Sequence, residues 1–168
     1  MLAIACLGLV ADLVIQPLRA LRDLPDTDFV NFVAAARLLR SGACLYCIVP
    51  QEAASRAVTG GPFTTHIVVF VSPPVVAAAF TPLAMIDPHA ALGIFLALSL
   101  AALAMAGWLI ASRWLPDLSP SQRVFLAIAG VASAPAAWGI AIGQLDPLLF
   151  CAVVAGITIS RRHPIAGG

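Results

Sequence analysis

Asp26-Thr-Asp-Phe-Val-Asn-Phe-Val-Ala-Ala-Ala-Arg-Leu-Leu-Arg-Ser-Gly-Ala-Cys-Leu-Tyr46 is a polar stretch in a chain that is otherwise mostly apolar. Asp26 or Thr27 is a good N-cap for a helix starting near Asp28. Phe29, Phe32, Val33, Ala36 and Leu39 recur at three- and four-residue steps and make one apolar face. Arg37 and Arg40 come late, where cations suit the helix dipole. Gly42 follows Ser41 as a natural left-handed terminator. The spacing predicts a helix over 28–41 that lies along a membrane interface, with its apolar side in lipid or protein.

Composition supports that setting. Of 168 residues, 61% are hydrophobic and 10% charged, whereas soluble domains carry about 25% charged residues. Such a chain reads as an integral membrane protein, all-α in fold. Its formal net charge of +1 gives no sign of a nucleic-acid partner. All nine basic residues are arginine.

The apolar segments order the chain. Residues 2–18 read as a retained first span, with no basic n-region and no cleavage site. The span is short and Asp12 interrupts it, so its true start is expected upstream of Met1; Asp12 is costly in lipid unless it faces other helices. Residues 19–64 form a polar insert with five of the nine arginines and four of the eight acids. Residues 66–86 are apolar but carry Pro73, Pro74 and Pro82. Three further spans follow at 89–112, 124–142 and 147–160, the first about 36 Å long as a helix. Asp87-Pro88 reads as a cap and helix start.

Whether 66–86 crosses the membrane decides the topology. If it crosses, Arg113, Arg123, Arg161 and Arg162 share a side with the insert. If it is a broken juxtamembrane or re-entrant element, those arginines fall opposite, in short loops where the positive-inside rule wants them. The Pro-Pro pair argues against a straight span as well. The second arrangement is favoured. It puts the insert and the Gly143-Gln-Leu-Asp146 turn on the external face.

Asp28 sits in the first turn of the insert helix, where an acid suits the dipole. Acids there are common and often only stabilise helices. Asp28-Phe-x-x-Phe32, Ala35-Ala36, Leu39, Gly42 and Leu45-Tyr46 resemble the signature after the first span of glycosyltransferase family 87. Val71-Ser-Pro-Pro74 with Pro82-Leu-Ala is similar to a later element of that family. So is Ser133-Ala-Pro135 with Gly143-Gln144-Leu-Asp-Pro-Leu-Leu149. Val71 stands where the family has Tyr, and Asp146 where it has Asn.

The resemblance implies a polytopic GT-C helix bundle in the plasma membrane. It also implies hexosyl or mannosyl transfer from a polyprenyl-phosphate sugar to a lipid or glycan acceptor. Asp28 matches the acid that such enzymes use as general base. An inverting transfer needs a carboxylate to take the acceptor's proton, and cationic or amide groups to steady the departing phosphate. Arg37, Arg40, Tyr46, Arg56, His66 and Gln144 are the candidate substrate contacts. For each arginine the plain alternative is snorkelling toward headgroups; for His66 it is an ordinary interfacial place. The expected partners are membrane lipids, the sugar donor and its acceptor. No resident cofactor is implied, and the metal requirement stays open. GT-C enzymes have about ten or more spans by that resemblance, so the chain reads as an N-terminal part of the architecture, inactive alone.

Other readings remain. A non-catalytic membrane protein, such as a transporter fragment or assembly subunit, should place ionisable groups near mid-bilayer, and only Asp12 is a candidate. Asp26-Thr-Asp28 has the form of a metal-binding triplet, as in soluble nucleotide-sugar enzymes, but lacks their Gly-rich loop. Cys44-Leu-Tyr-Cys47 could be a redox or metal pair, or an incidental disulfide on an oxidising face. Cys6 and Cys151 lie in apolar runs as small lipid- or core-facing residues.

Overall fold

A computed structural model of the chain describes residues 11, 15, 17–22, 24, 27–61, 70–131 and 133–162. Among these the structure is helical throughout, with no strand. The helices are α1 (Asp28–Ser41), α2 (Ile48–Thr59), α3 (Pro74–Ala79), α4 (Pro88–Arg113), α5 (Pro120–Val131), α6 (Ala134–Ala141) and α7 (Asp146–Arg162). A short 3-10 turn, Leu83–Met85, stands between α3 and α4. Asp12, Asp26 and His66 lie outside the described residues, as does most of the anticipated first span.

Two compact units are present. One comprises Arg19–Phe95 together with Ile142–Gln144. Its centre is α1, which packs against α2, α3 and the 3-10 turn. The sequence pattern anticipates one apolar stripe on α1. Instead Phe29, Val30, Phe32, Val33, Ala34, Ala35, Ala36 and Leu38 are all buried, and only Leu39 of the anticipated stripe is exposed. α1 is therefore a core helix of this unit, with its apolar side in protein. Three consecutive alanines make this possible, because small side chains let neighbouring elements approach on several sides at once.

Beneath the start of α1 lies an aromatic cluster. Phe29 packs on Phe95 and Phe80 with ring centroids 5.3 and 6.0 Å apart. Phe32 packs on Phe80 at 5.0 Å. These are the offset separations that aromatic pairs prefer. α1 ends as its sequence anticipates. Gly42 has φ of +69°, and the N–H of Ala43 donates to the Leu38 carbonyl at 3.0 Å.

The other unit comprises Met1–Leu18, Leu96–Ala141 and Leu145–Gly168, the last containing α7. Its longest element is the larger part of α4, a 26-residue helix of mean hydropathy 2.3 with one-third of its apolar window buried. At 1.5 Å per residue it exceeds a hydrocarbon core of about 30 Å. α4 begins where Asp87 dictates: its carboxylate accepts from the N–H groups of His89 and Ala90, both at 3.0 Å, with Pro88 at the first helical position. Gly107 brings α4 close to α5, since a Cβ there would lie 2.9 Å from the Ala127 Cα.

The stretch anticipated as one span over 124–142 is instead two helices, α5 and α6, bent by 50° at their junction. Pro135 accounts for the break, because it supplies no N–H to the preceding turn and its ring clashes there. α7 is apolar over Asp146–Ser160, shorter than a straight crossing needs. Among the described residues, then, one helix is long and apolar enough to cross a membrane, or two if the bent pair counts as one. The sequence pattern anticipates four, of which the first lies mostly outside the described residues.

Candidate active site

Asp28 is positioned by two contacts with residues more than a hundred positions away. Its backbone N–H donates to the Ile142 carbonyl at 2.7 Å. Its carboxylate oxygen Oδ2 accepts from Gln144 Nε2 at 3.4 Å. The first N–H groups of a helix have no partner within it, and here a distant turn satisfies one of them. Thr27 holds the cap position, but its hydroxyl donates backward to the Leu24 carbonyl at 2.8 Å. The threonine thus fixes the approach to α1 rather than capping its amides, and the carbonyl of Ile142 takes on part of that task.

The turn that reaches Asp28 requires glycine at its centre. Gly143 has φ of +68°, and a Cβ there would meet Phe29 Cβ at 3.0 Å and Phe29 N at 3.2 Å. A side chain would have to adopt a left-handed backbone and push into the first turn of α1. Gly143 is thereby what lets Gln144 stand beside the Asp28 carboxylate. Asp28 and Gln144 are both half-buried, while Gly143 is buried. A half-buried carboxylate with an amide donor on one oxygen still has acceptor capacity on its other oxygen.

His66 lies outside the described residues, and the other sequence candidates fall elsewhere. Arg37 and Arg40 lie about 13 and 18 Å along the axis from Asp28, at the other end of α1. Arg37 Nη1 donates to the Ala57 carbonyl at 3.3 Å. Arg56 pairs with Glu52 one turn before it on α2, an exposed contact of small energetic weight. Arg40 is exposed in the last turn of α1. Tyr46 donates its hydroxyl to the Ser72 carbonyl at 3.0 Å and stacks on Phe70 at 6.1 Å. Of the named contacts among the described residues, only Gln144 is beside Asp28. Sequence reasoning groups the arginines with Asp28 by chemistry, whereas the length of α1 separates Arg37 and Arg40 from it.

Cys44 and Cys47 form a disulfide, which removes the metal-pair reading of that motif. Among the described residues, no group of three or more His, Cys, Asp or Glu side chains is placed to hold a metal ion. Sequence reasoning missed Ile142, whose contribution is a backbone carbonyl and has no signature in residue type. Gly143 was legible only as part of a turn.

The Gly143–Gln144 turn and the Pro73-Pro74 element both lie in a region with a recognisable pattern. The sequence profile of glycosyltransferase family 87 matches residues 70–168. The chain belongs to glycosyltransferase family 87. No curated protein and no solved structure matches it significantly. Asp28 lies before the matched region, but the family region's own turn holds its amide and its carboxylate. Membership in the family carries glycosyltransferase activity in general, with a sugar donor and an acceptor as substrates.

Proposed function

We propose that the chain is part of a polytopic membrane glycosyltransferase of the GT-C type that transfers mannose or another hexose from a polyprenyl-phosphate donor, with inversion, to a lipid or glycan acceptor. The observation that carries this reading is the Asp28–Gln144 contact, which joins a carboxylate at a helix start to the family's matched region. In this reading Asp28 takes the acceptor hydroxyl's proton as that oxygen attacks the anomeric carbon. Gln144 holds one carboxylate oxygen so that the other faces the acceptor. The donor's C–O bond to phosphate breaks, and the polyprenyl phosphate leaves as an anion.

The Arg37, Arg40 and Arg56 side chains are assigned to headgroups and loop structure rather than to the reacting phosphate, because α1 carries Arg37 and Arg40 away from Asp28 and Arg56 is paired with Glu52 on α2. An apolar cavity of about 430 Å³ among α4, α5, α6 and α7, lined by Leu103, Leu126 and Phe150 among others, would suit a prenyl chain. Two features support an external, plasma-membrane orientation of the Asp28 unit. Disulfides persist in oxidising compartments, and Cys44–Cys47 belongs to this unit. Arg113 and Arg123 flank a short loop that the positive-inside rule places in the cytoplasm.

The test is donor choice. The full-length gene product, reconstituted in bilayer discs, should transfer radiolabelled sugar from a polyprenyl-phosphate mannose and not from a nucleotide sugar. Transfer from the nucleotide sugar alone would contradict the assignment.

A further inference from the structure

The α1–α2 turn is tied to residues 70–72 by contacts from one small ring and from Gln51 at the start of α2. The Cys44–Cys47 disulfide closes that ring over Leu45 and Tyr46, and both sulfurs belong to exposed residues. From inside the ring, the Tyr46 hydroxyl donates to the Ser72 carbonyl at 3.0 Å while its phenol face stacks on Phe70. Also from inside it, the Leu45 carbonyl accepts from the amide of Gln51, a buried side chain on α2. The same Gln51 amide grips Phe70 on both backbone groups, accepting from its N–H at 2.7 Å and donating to its carbonyl at 3.4 Å. Phe70 then meets Phe32 of α1 edge-on at 6.3 Å.

Cys47 is also the residue from which α2 starts. The ring therefore fixes the N-terminus of α2 and the direction of Tyr46 together. A ring closed over three intervening bonds of sequence restrains little unfolded-state entropy compared with a long loop. Its effect is accordingly local: the orientation of Tyr46, not the existence of the helices. Exposure leaves the sulfurs open to attack by a thiolate.

We propose that the Cys44–Cys47 disulfide is a thiol-sensitive latch that holds Tyr46 against Phe70 and Ser72. A dithiol reductant opens it in two steps. One thiolate attacks a protein sulfur, forming a mixed disulfide and expelling the other cysteine as thiolate. The second thiol of the reductant, as thiolate, then displaces the first cysteine. The reductant leaves as a cyclic disulfide, two electrons pass to the protein, and both cysteines take up protons. The inference does not depend on the glycosyltransferase reading.

Tyr46 is the only tyrosine of the chain, so 3-fluorotyrosine labels this site alone. In a Cys6→Ser/Cys151→Ser background of the 168-residue chain in bilayer discs, the oxidised protein should give one fluorine NMR line. Dithiothreitol should displace that line as two thiols appear, with the far-ultraviolet helix signal unchanged, and reoxidation should restore it. A Cys44→Ser/Cys47→Ser variant should show the displaced line without reductant; if it does not fold, the dithiothreitol titration of the parent decides. The latch is overturned by a line that stays in place while two thiols appear. It is equally overturned by a bond that dithiothreitol leaves intact, or by loss of the helix signal together with the shift.

Discussion

Replacing Asp28 by Asn should lower sugar transfer by about 10²- to 10⁴-fold, the usual contribution of a positioned general base. The substitution keeps shape and volume, and Gln144 can still contact the new side chain. What it removes is the capacity to accept a proton. The backbone N–H of residue 28 would still reach the Ile142 carbonyl, so the helix start and the turn are retained. The loss should therefore appear in kcat, with little change in the thermal unfolding midpoint. Measuring both on the full-length protein separates a chemical role from a structural one. A midpoint that falls together with the rate would mean that Asp28 mainly stabilises its helix.

Phe29→Ala should produce the opposite pattern, a large loss of stability of about 3–5 kcal/mol. Phe29 is fully buried and touches both Phe80 and Phe95. Truncation leaves a void bounded by α1 and by residues on either side of the 3-10 turn. These are held by several other contacts and cannot simply collapse inward. Gly143 also packs on the Phe29 backbone and Cβ, so the loosened helix start should disturb the 142–144 turn. Denaturant unfolding of the isolated chain in detergent, with Phe29→Leu as the volume-sparing control, reads this directly. Leucine should recover most of the loss.

The local devices of α1 were legible from sequence because each is a short-range choice. An acid in the first turn, aromatic residues at helical steps and a glycine after Ser41 all act within a few residues of themselves. The burial of Ala34, Ala35 and Ala36 was not legible, since alanine suits either lipid, water or a core. Only the packing of α2 and α3 settles which. Likewise Pro135 was visible, but whether it bends a span or ends one depends on what its neighbours pack against.

For the site, Asp28 and Gln144 could both be named from residue type and motif order, yet 116 positions separate them. Their contact depends on the left-handed Gly143 and on an Ile142 carbonyl. The arginines were drawn toward Asp28 by the need for cations at a leaving phosphate. The rise of an α-helix carries Arg37 and Arg40 to its far end instead. For Cys44 and Cys47, spacing alone does not distinguish a disulfide from a ligand pair.

If Asp28 and the 142–144 turn form one reacting centre, their effects on transfer must be coupled. A double-mutant cycle with Asp28→Asn, Gln144→Leu and the pair, read as kcat/KM in the full-length protein, measures that coupling. The predicted result is strong non-additivity: Gln144→Leu lowers the rate in the presence of Asp28 and adds almost nothing once Asp28 is asparagine. Additive losses, or an Asp28→Asn enzyme that turns over at the parent rate, would contradict it.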